Sequence, residues 1–224
     1  MNETRKTNTE KRKPAGDITF KLVLNDEQKA AKSVILNNPV TVLRGNAGSG
    51  KTLLACQTAL DQFFKRQVDK VIITRPMVSK VDMGFLPGDI KEKMDPWLQP
   101  IYQNFYSLYG KEKVDKHIEA GDIQILPITF IRGITFVNSF VVVDEAQNLQ
   151  HEEMEAVLGR LGKNSRLVIC GDVAQIDLKD KKTSGFSFLQ RVEEEVPGFK
   201  IITLKQNHRH EIVEPILQVY RQYS

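Results

Sequence analysis

Cysteine, long apolar runs and an excess of one charge outside the first residues are all scarce in this chain. Its two cysteines, Cys56 and Cys170, each sit within an apolar stretch. They read as small buried hydrophobes rather than a disulfide or a metal pair. No apolar run approaches the length of a membrane span, and the N-terminus lacks the apolar core of a signal peptide. The expected location is therefore cytoplasmic, with no membrane partner. The net charge is +4, but residues 1–16 hold Arg5, Lys6, Lys11, Arg12 and Lys13 against only Glu3 and Glu10. Most of the net charge thus lies in that segment, and no globally basic surface can be inferred. The segment is polar and aperiodic and ends at Pro14-Ala15-Gly16, which reads as a disordered, solubilising tail. There is no internal repeat.

What remains suits one α/β domain over residues 17–224 with a sizeable core, since 41% of the chain is hydrophobic and 27% charged. Its most informative feature is the octet Gly45-Asn46-Ala47-Gly48-Ser49-Gly50-Lys51-Thr52, which fits the phosphate loop G-x-x-x-x-G-K-[ST]. Glycines let the backbone curl so that successive N–H groups point at an anion. Lys51 carries a positive charge to the β- and γ-phosphates, and the Thr52 hydroxyl can ligate Mg²⁺. Roughly one chain in a hundred of this length would match by chance. The flanks narrow that further: Val40-Thr41-Val42-Leu43 reads as a strand before the loop and Leu53 to Leu60 as a helix after it.

Strands and helices alternate along the rest. The patterns predict helices over 25–36, 50–67, 151–161, 184–195 and 212–220. They predict strands over 40–43, 71–74, 123–126, 140–143, 166–170 and 200–204. Residues 89–109 carry helical spacing interrupted by Pro96 and Pro100, hence two short helices or one kinked helix. The implied fold is a mainly parallel sheet with helices on both faces and nucleotide at the carboxyl ends of the strands.

Several strand ends carry chemistry. Phe140-Val141-Val142-Val143 stops at Asp144-Glu145, which brings two carboxylates to the phosphate edge. Asp144 suits Mg²⁺ and Glu145 suits polarising the attacking water. Leu167 to Cys170 ends in Gly171-Asp172-Val173-Ala174-Gln175, where Asp172 and Gln175 either report on the γ-phosphate or form a capped turn. Arg209, in Leu204-Lys205-Gln206-Asn207-His208-Arg209-His210, is a candidate arginine finger, although local sequence alone favours a solvated basic turn. His208, His210 and Glu211 give thin support for a metal. Gln28, after Leu24-Asn25, can both donate to and accept from adenine, or simply cap a helix. Trp97, Tyr102, Phe105 and Tyr106 fit core packing better than base stacking. Arg75, Lys80 and Arg132 are candidates for phosphate contact.

Together these segments resemble the PhoH-like family, over about residues 20–220. Its single RecA-like P-loop core is similar to the first motor domain of superfamily 1 helicases. Leu24-Asn25-xx-Gln28 looks like the adenine-reading glutamine motif, and Gly45 to Thr52 and Asp144 to Asn148 look like Walker A and Walker B. Gly171 to Gln175 is similar to the γ-phosphate-sensing motif, and Leu204-xx-Asn207-His208-Arg209 to the arginine-bearing one. Thr74-Arg75-Pro76 with Met83 to Lys93, and Arg132 to Phe136, set PhoH-like chains apart from general helicases.

The resemblance implies an Mg²⁺-dependent ATPase using Lys51, Glu145, Gln175 and Arg209, with Thr52 and Asp144 on the metal. The chain stops some fifteen residues after Arg209, so no second motor domain is expected and a neighbouring subunit would complete the site. The implied assembly is a homo-oligomer, a hexameric ring, linked to single-stranded RNA or DNA. The rival readings are a nucleotide-gated binding module with little turnover and an ATP-driven RNA or DNA helicase.

Overall fold

The computed structural model describes residues 20, 22–76, 90–131 and 133–223, with backbone alone over 90–97 and at 221. The basic tail over 1–16, the loop from Met83 to Asp89, Lys80 and Arg132 lie outside the described residues, and so does the Trp97 side chain.

Six strands form one sheet: β1 (Val40–Arg44), β2 (Lys70–Arg75), β3 (Ile123–Pro127), β4 (Ser139–Val143), β5 (Arg166–Gly171) and β6 (Phe199–Thr203). Their spatial order is β3-β2-β4-β5-β1-β6, and every pairing is parallel. Alternate residues feed two cores. Leu43, Val71, Ile73, Phe140, Val142, Val168 and Cys170 pack with α1 (Asp26–Asn37), α2 (Lys51–Phe64), α3 (Ile90–Tyr109) and α4 (Lys111–Glu119). Val42, Ile72, Val141, Val143, Leu167 and Ile169 point the other way, toward α5 (His151–Leu158) and α6 (Gly185–Glu195). A last helix, α7 (Val213–Tyr223), follows β6. This is the expected RecA-like arrangement, with β5 inserted between the loop-bearing β1 and the acid-bearing β4.

All six strands lie where the sequence predicts them, to within a residue or two. The helices differ more. A single helix, α3, runs through both Pro96 and Pro100. The second helix ends at Phe64, because Arg66 turns left-handed (φ 56°). The fifth ends at Leu158, before Gly159. No expectation covered α4, whose sequence KEKVDKHIE contributes only Val114 to the buried core. Phe105 is core, as helical spacing implies, while Tyr102 and Tyr106 are half-buried and stack on each other at 6.0 Å.

Candidate nucleotide site

The loop Gly45–Thr52 links the end of β1 to the start of α2 at the carboxyl edge of the sheet. Gly48 and Gly50 have φ of 87° and 80°, a region that side chains with a Cβ avoid. Gly50 is also the N-cap of α2 and offers no side chain to its free N–H groups. Anions favour such helix starts. The Ser49 N–H donates to the Asn46 carbonyl at 3.1 Å, while the buried Ser49 hydroxyl has no hydrogen-bond partner among the described residues. The Lys51 ammonium donates to the Gly45 and Asn46 carbonyls at 2.6 and 3.0 Å.

Facing the loop is the end of β4. The Thr52 hydroxyl donates to Asp144 Oδ1 at 2.6 Å, and Arg75 reaches the other oxygen, Oδ2, at 3.9 Å. Burial pushes the Asp144 carboxyl up from its ordinary range, and neighbouring Glu145 adds to this, against the opposing pull of Thr52 and Arg75. A buried carboxylate that its neighbours compensate only in part, beside a hydroxyl, suits a divalent cation. Among the described residues no group of three or more His, Cys, Asp or Glu is clustered for a metal. A cation here would take its other ligands from phosphate oxygens and water.

Glu145 follows in a left-handed backbone conformation, φ 51° and ψ 36°. Conformations of this kind are concentrated at functional sites. Its Oε2 accepts from Gln147 Nε2 at 2.6 Å and its Oε1 lies 3.6 Å from Arg75. Gln147 is fully buried and ties three segments together. Its amide also donates to the Gln175 carbonyl, its Oε1 accepts from the Asp172 N–H, and its own carbonyl accepts from Ser184. Asp172 caps the turn over Val173–Gln175 and also accepts from Gln175 Nε2. The capped turn and the placement of Gln175 at the cleft therefore coexist.

The segment after β6 closes the opposite side. Its His208 N–H donates to the Gly48 carbonyl at 3.0 Å. A Cβ on Gly48 would come within 2.7 Å of Arg209 Cγ, so the arginine stem rests on the loop of its own chain. His208 Nε2 faces the amides of Gln28 at 3.3 Å and Asn25 at 3.4 Å, and the Glu27 carboxylate accepts from the Lys205 and Gln206 N–H groups. His208 thus docks α1 on this segment. Gln28 completes a capping box with Asn25, and its Nε2 would lie 2.9 Å from a Cβ on Gly50.

These elements enclose a cleft of about 460 Å³. Ala47, Gly48, Gly50, Lys51, Thr52, Asp144, Glu145, Gln175 and Arg209 all line it. Gly45, Asn46, Ser49 and Gln28 are not part of that lining. Asn104 of α3 joins it without any sequence signal, being one polar residue in a helix. Cys170 is at the cleft wall, and burial raises its thiol and that of Cys56, so both remain neutral packing groups. Among the described residues no helix is long and apolar enough to cross a membrane.

A family model described as PhoH-like protein matches residues 22–221. The chain is 37% identical over 196 residues to a PhoH-like protein of Synechocystis, covering 86% of this chain and 60% of the relative. It is 38% identical over 179 residues to a PhoH-like protein of Bacillus subtilis, covering 79% and 56%. With Protein PhoH of Escherichia coli it shares 36% over 178 residues, covering 78% and 50%. The chain therefore spans 50–60% of the length of these curated relatives.

Among solved structures, the Pif1 helicase from Candida albicans aligns at TM-score 0.47 and 16% identity, over 90% of this chain and 44% of that one. A Sulfolobus solfataricus SWI2/SNF2 ATPase core in complex with dsDNA aligns at 0.44 and 14%, over 87% and 47%. On the family match over residues 22–221 and on relatives at 36–38% identity, the chain belongs to the PhoH-like family.

Proposed function

We propose that this chain hydrolyses ATP in an Mg²⁺-dependent reaction, cleaving the β–γ bond by in-line attack of water. The observation that carries this reading is the meeting of Thr52 with Asp144 at 2.6 Å across the phosphate loop, with Glu145 next along the chain. Lys51 and the loop amides hold the phosphates, and Gln28 contacts the adenine. Thr52 and Asp144 would hold Mg²⁺, which would supply positive charge to the phosphates. Glu145 orients the water and takes its proton. Gln175, steadied by Asp172, reports on the γ-phosphate. Arg209 stabilises charge on the transferring phosphoryl group. Its stem packs on Gly48 of its own loop, which supports action in cis.

Hydrolysis is coupled to single-stranded RNA or DNA, a reading supported by the helicase-like order of the motifs from Gln28 to Arg209. Several copies assemble, as the resemblance implies. Such an assembly would also cover the apolar residues that α7 and its approach expose, namely Ile212, Ile216, Val219 and Tyr220.

Glu145→Gln tests the core of the proposal. ATP binding is expected to persist while turnover falls about 100-fold or more. Undiminished hydrolysis by this variant would remove Glu145 from the mechanism.

A further inference from the structure

The Glu145 carboxylate is held by two neighbours: Gln147 Nε2 donates to Oε2 at 2.6 Å, and Arg75 lies 3.6 Å from Oε1. A general base must turn an oxygen toward the water it deprotonates, and two neighbours that fix the orientation of the carboxylate oppose that turn. The two restraints differ in kind. Gln147 is fully buried and satisfied on all sides by the Gln175 carbonyl, the Asp172 N–H and Ser184. It has no second position to move to. Arg75 is a long side chain, 23% exposed, whose contacts with the two acids are ion pairs beyond hydrogen-bond length. Of the two it is the releasable one.

Arg75 also stands on the other side of the acids from the nucleotide. Asp144 turns Oδ1 to Thr52 and the loop, and Oδ2 to Arg75. Asp144 and Glu145 line the cleft, while Arg75 is not among the lining residues. An anion that draws Arg75 away would therefore approach at the carboxyl edge of β2 and β3 rather than as the γ-phosphate. At that edge Arg75 pairs in register with Pro127, the last residue of β3. The turn that follows, Ile128–Ile131, leaves Phe130 49% exposed. A guanidinium and a bare aromatic at one sheet edge are the pair that single strands use, phosphate on the first and base on the second.

We propose that Arg75 is a clamp on Glu145 and that a single-stranded phosphodiester releases it by competing for the guanidinium. The inference rests on the hydrolytic reading above and adds what regulates it. In the clamped state Glu145 is held off the attacking water. When a backbone phosphate takes Arg75, Glu145 is free to turn toward the water and turnover rises. Arg75 is thus a positioning residue that acts through Glu145.

The test measures ATP turnover of the full chain, its Arg75→Ala variant and its Arg75→Lys variant, each alone and with oligo(rU) or oligo(dT). For the unmodified chain, one or both oligonucleotides are expected to stimulate, and which of them does so identifies the strand. Arg75→Ala is expected to raise the basal kcat roughly two- to fivefold, leave the KM for ATP unchanged, and abolish further stimulation. Arg75→Lys keeps the charge without the fork and should fall between the two. Binding of a fluorescent ATP analogue checks that each variant is folded. A basal kcat in Arg75→Ala that is unchanged or lower overturns the clamp while leaving the ATPase reading intact, as does full stimulation of that variant. Failure of both oligonucleotides to stimulate the unmodified chain removes the phosphodiester as the releasing ligand. Absence of hydrolysis from all three proteins, with and without oligonucleotide, overturns the ATPase reading and the clamp together.

Discussion

Gln147 shows how a residue can be visible in a motif and its role still not be. It stands inside the string Asp144-Glu145-Ala146-Gln147-Asn148, where the two acids carry the recognisable chemistry. Its partners Asp172, Gln175 and Ser184 lie far along the chain and meet it only because β4 and β5 are neighbours in the sheet. The same holds for Arg75, which reads as a phosphate contact in isolation and meets Asp144 and Glu145 once β2 pairs with β4. Lys51, Thr52, Asp144 and Glu145 were legible because their signal is local spacing on a strand end or a loop. Gln147→Leu tests the network. The substitution keeps approximate volume but strands the buried Asp172 N–H, a loss of about 1–3 kcal/mol. Chemical denaturation of the variant should show that drop. A change within about 0.5 kcal/mol, ordinary for a surface substitution, would mean that water or another group satisfies the amide.

Elements were legible in proportion to how fully they are buried. The central strands β4 and β5 are short apolar runs buried on both faces, so composition alone marks them. The helix α4 is mostly charged and contributes a single core residue, Val114, so neither periodicity nor composition marks it. It is held instead by packing that depends on the fold. The His117 ring packs against Phe63, Phe64 and Tyr109, and its Nδ1 lies 2.9 Å from Asp122. Docking of α1 on α2 has a charged contribution that can be isolated by pH. Asp61 on α2 is nearly buried and pairs with Lys32 of α1 at 2.8 Å and with Lys65 at 3.0 Å. Burial by itself would raise the Asp61 carboxyl, but hydrogen bonds from the two lysines and their charges outweigh it, and the net shift is downward. A carboxyl that titrates lower when folded stabilises the fold above its unfolded value, near pH 4, and loses that contribution as pH falls through the folded value. Asp61→Asn is therefore expected to lower stability by about 1 kcal/mol at pH 7. The gap between variant and unmodified chain should close as the pH drops below about 4. A gap that is constant down to pH 2 would point to packing rather than charge.

At the scale of the whole molecule, alternation of strands and helices was enough to set a parallel sheet covered on both faces. Strand order was out of reach, since no local pattern says that β5 lies between β1 and β4. Where Arg209 would act was also out of reach. The resemblance to the family implies an arginine reaching a neighbouring subunit but leaves action in cis open. In the folded chain the segment after β6 is fastened to its own phosphate loop, through His208 N–H to the Gly48 carbonyl and Leu204 N–H to the Arg44 carbonyl. The Glu27 carboxylate anchors it further by accepting from the Lys205 and Gln206 N–H groups. Arg209 therefore lines the cleft of the chain that carries it. Assembly into a ring and catalysis in cis are compatible, and mixing two inactive proteins separates cis from trans. Arg209→Ala lacks the arginine but keeps Glu145, and Glu145→Gln lacks the base but keeps the arginine. If the arginine serves its own chain, every subunit in the mixture lacks one essential group, and the rate stays at the sum of the two separate proteins. If it serves a neighbour, interfaces that pair Arg209 of one variant with Glu145 of the other restore turnover, approaching about a quarter of the unmodified rate at equal amounts and random assembly. The contacts of Arg209 with Gly48 predict the first result.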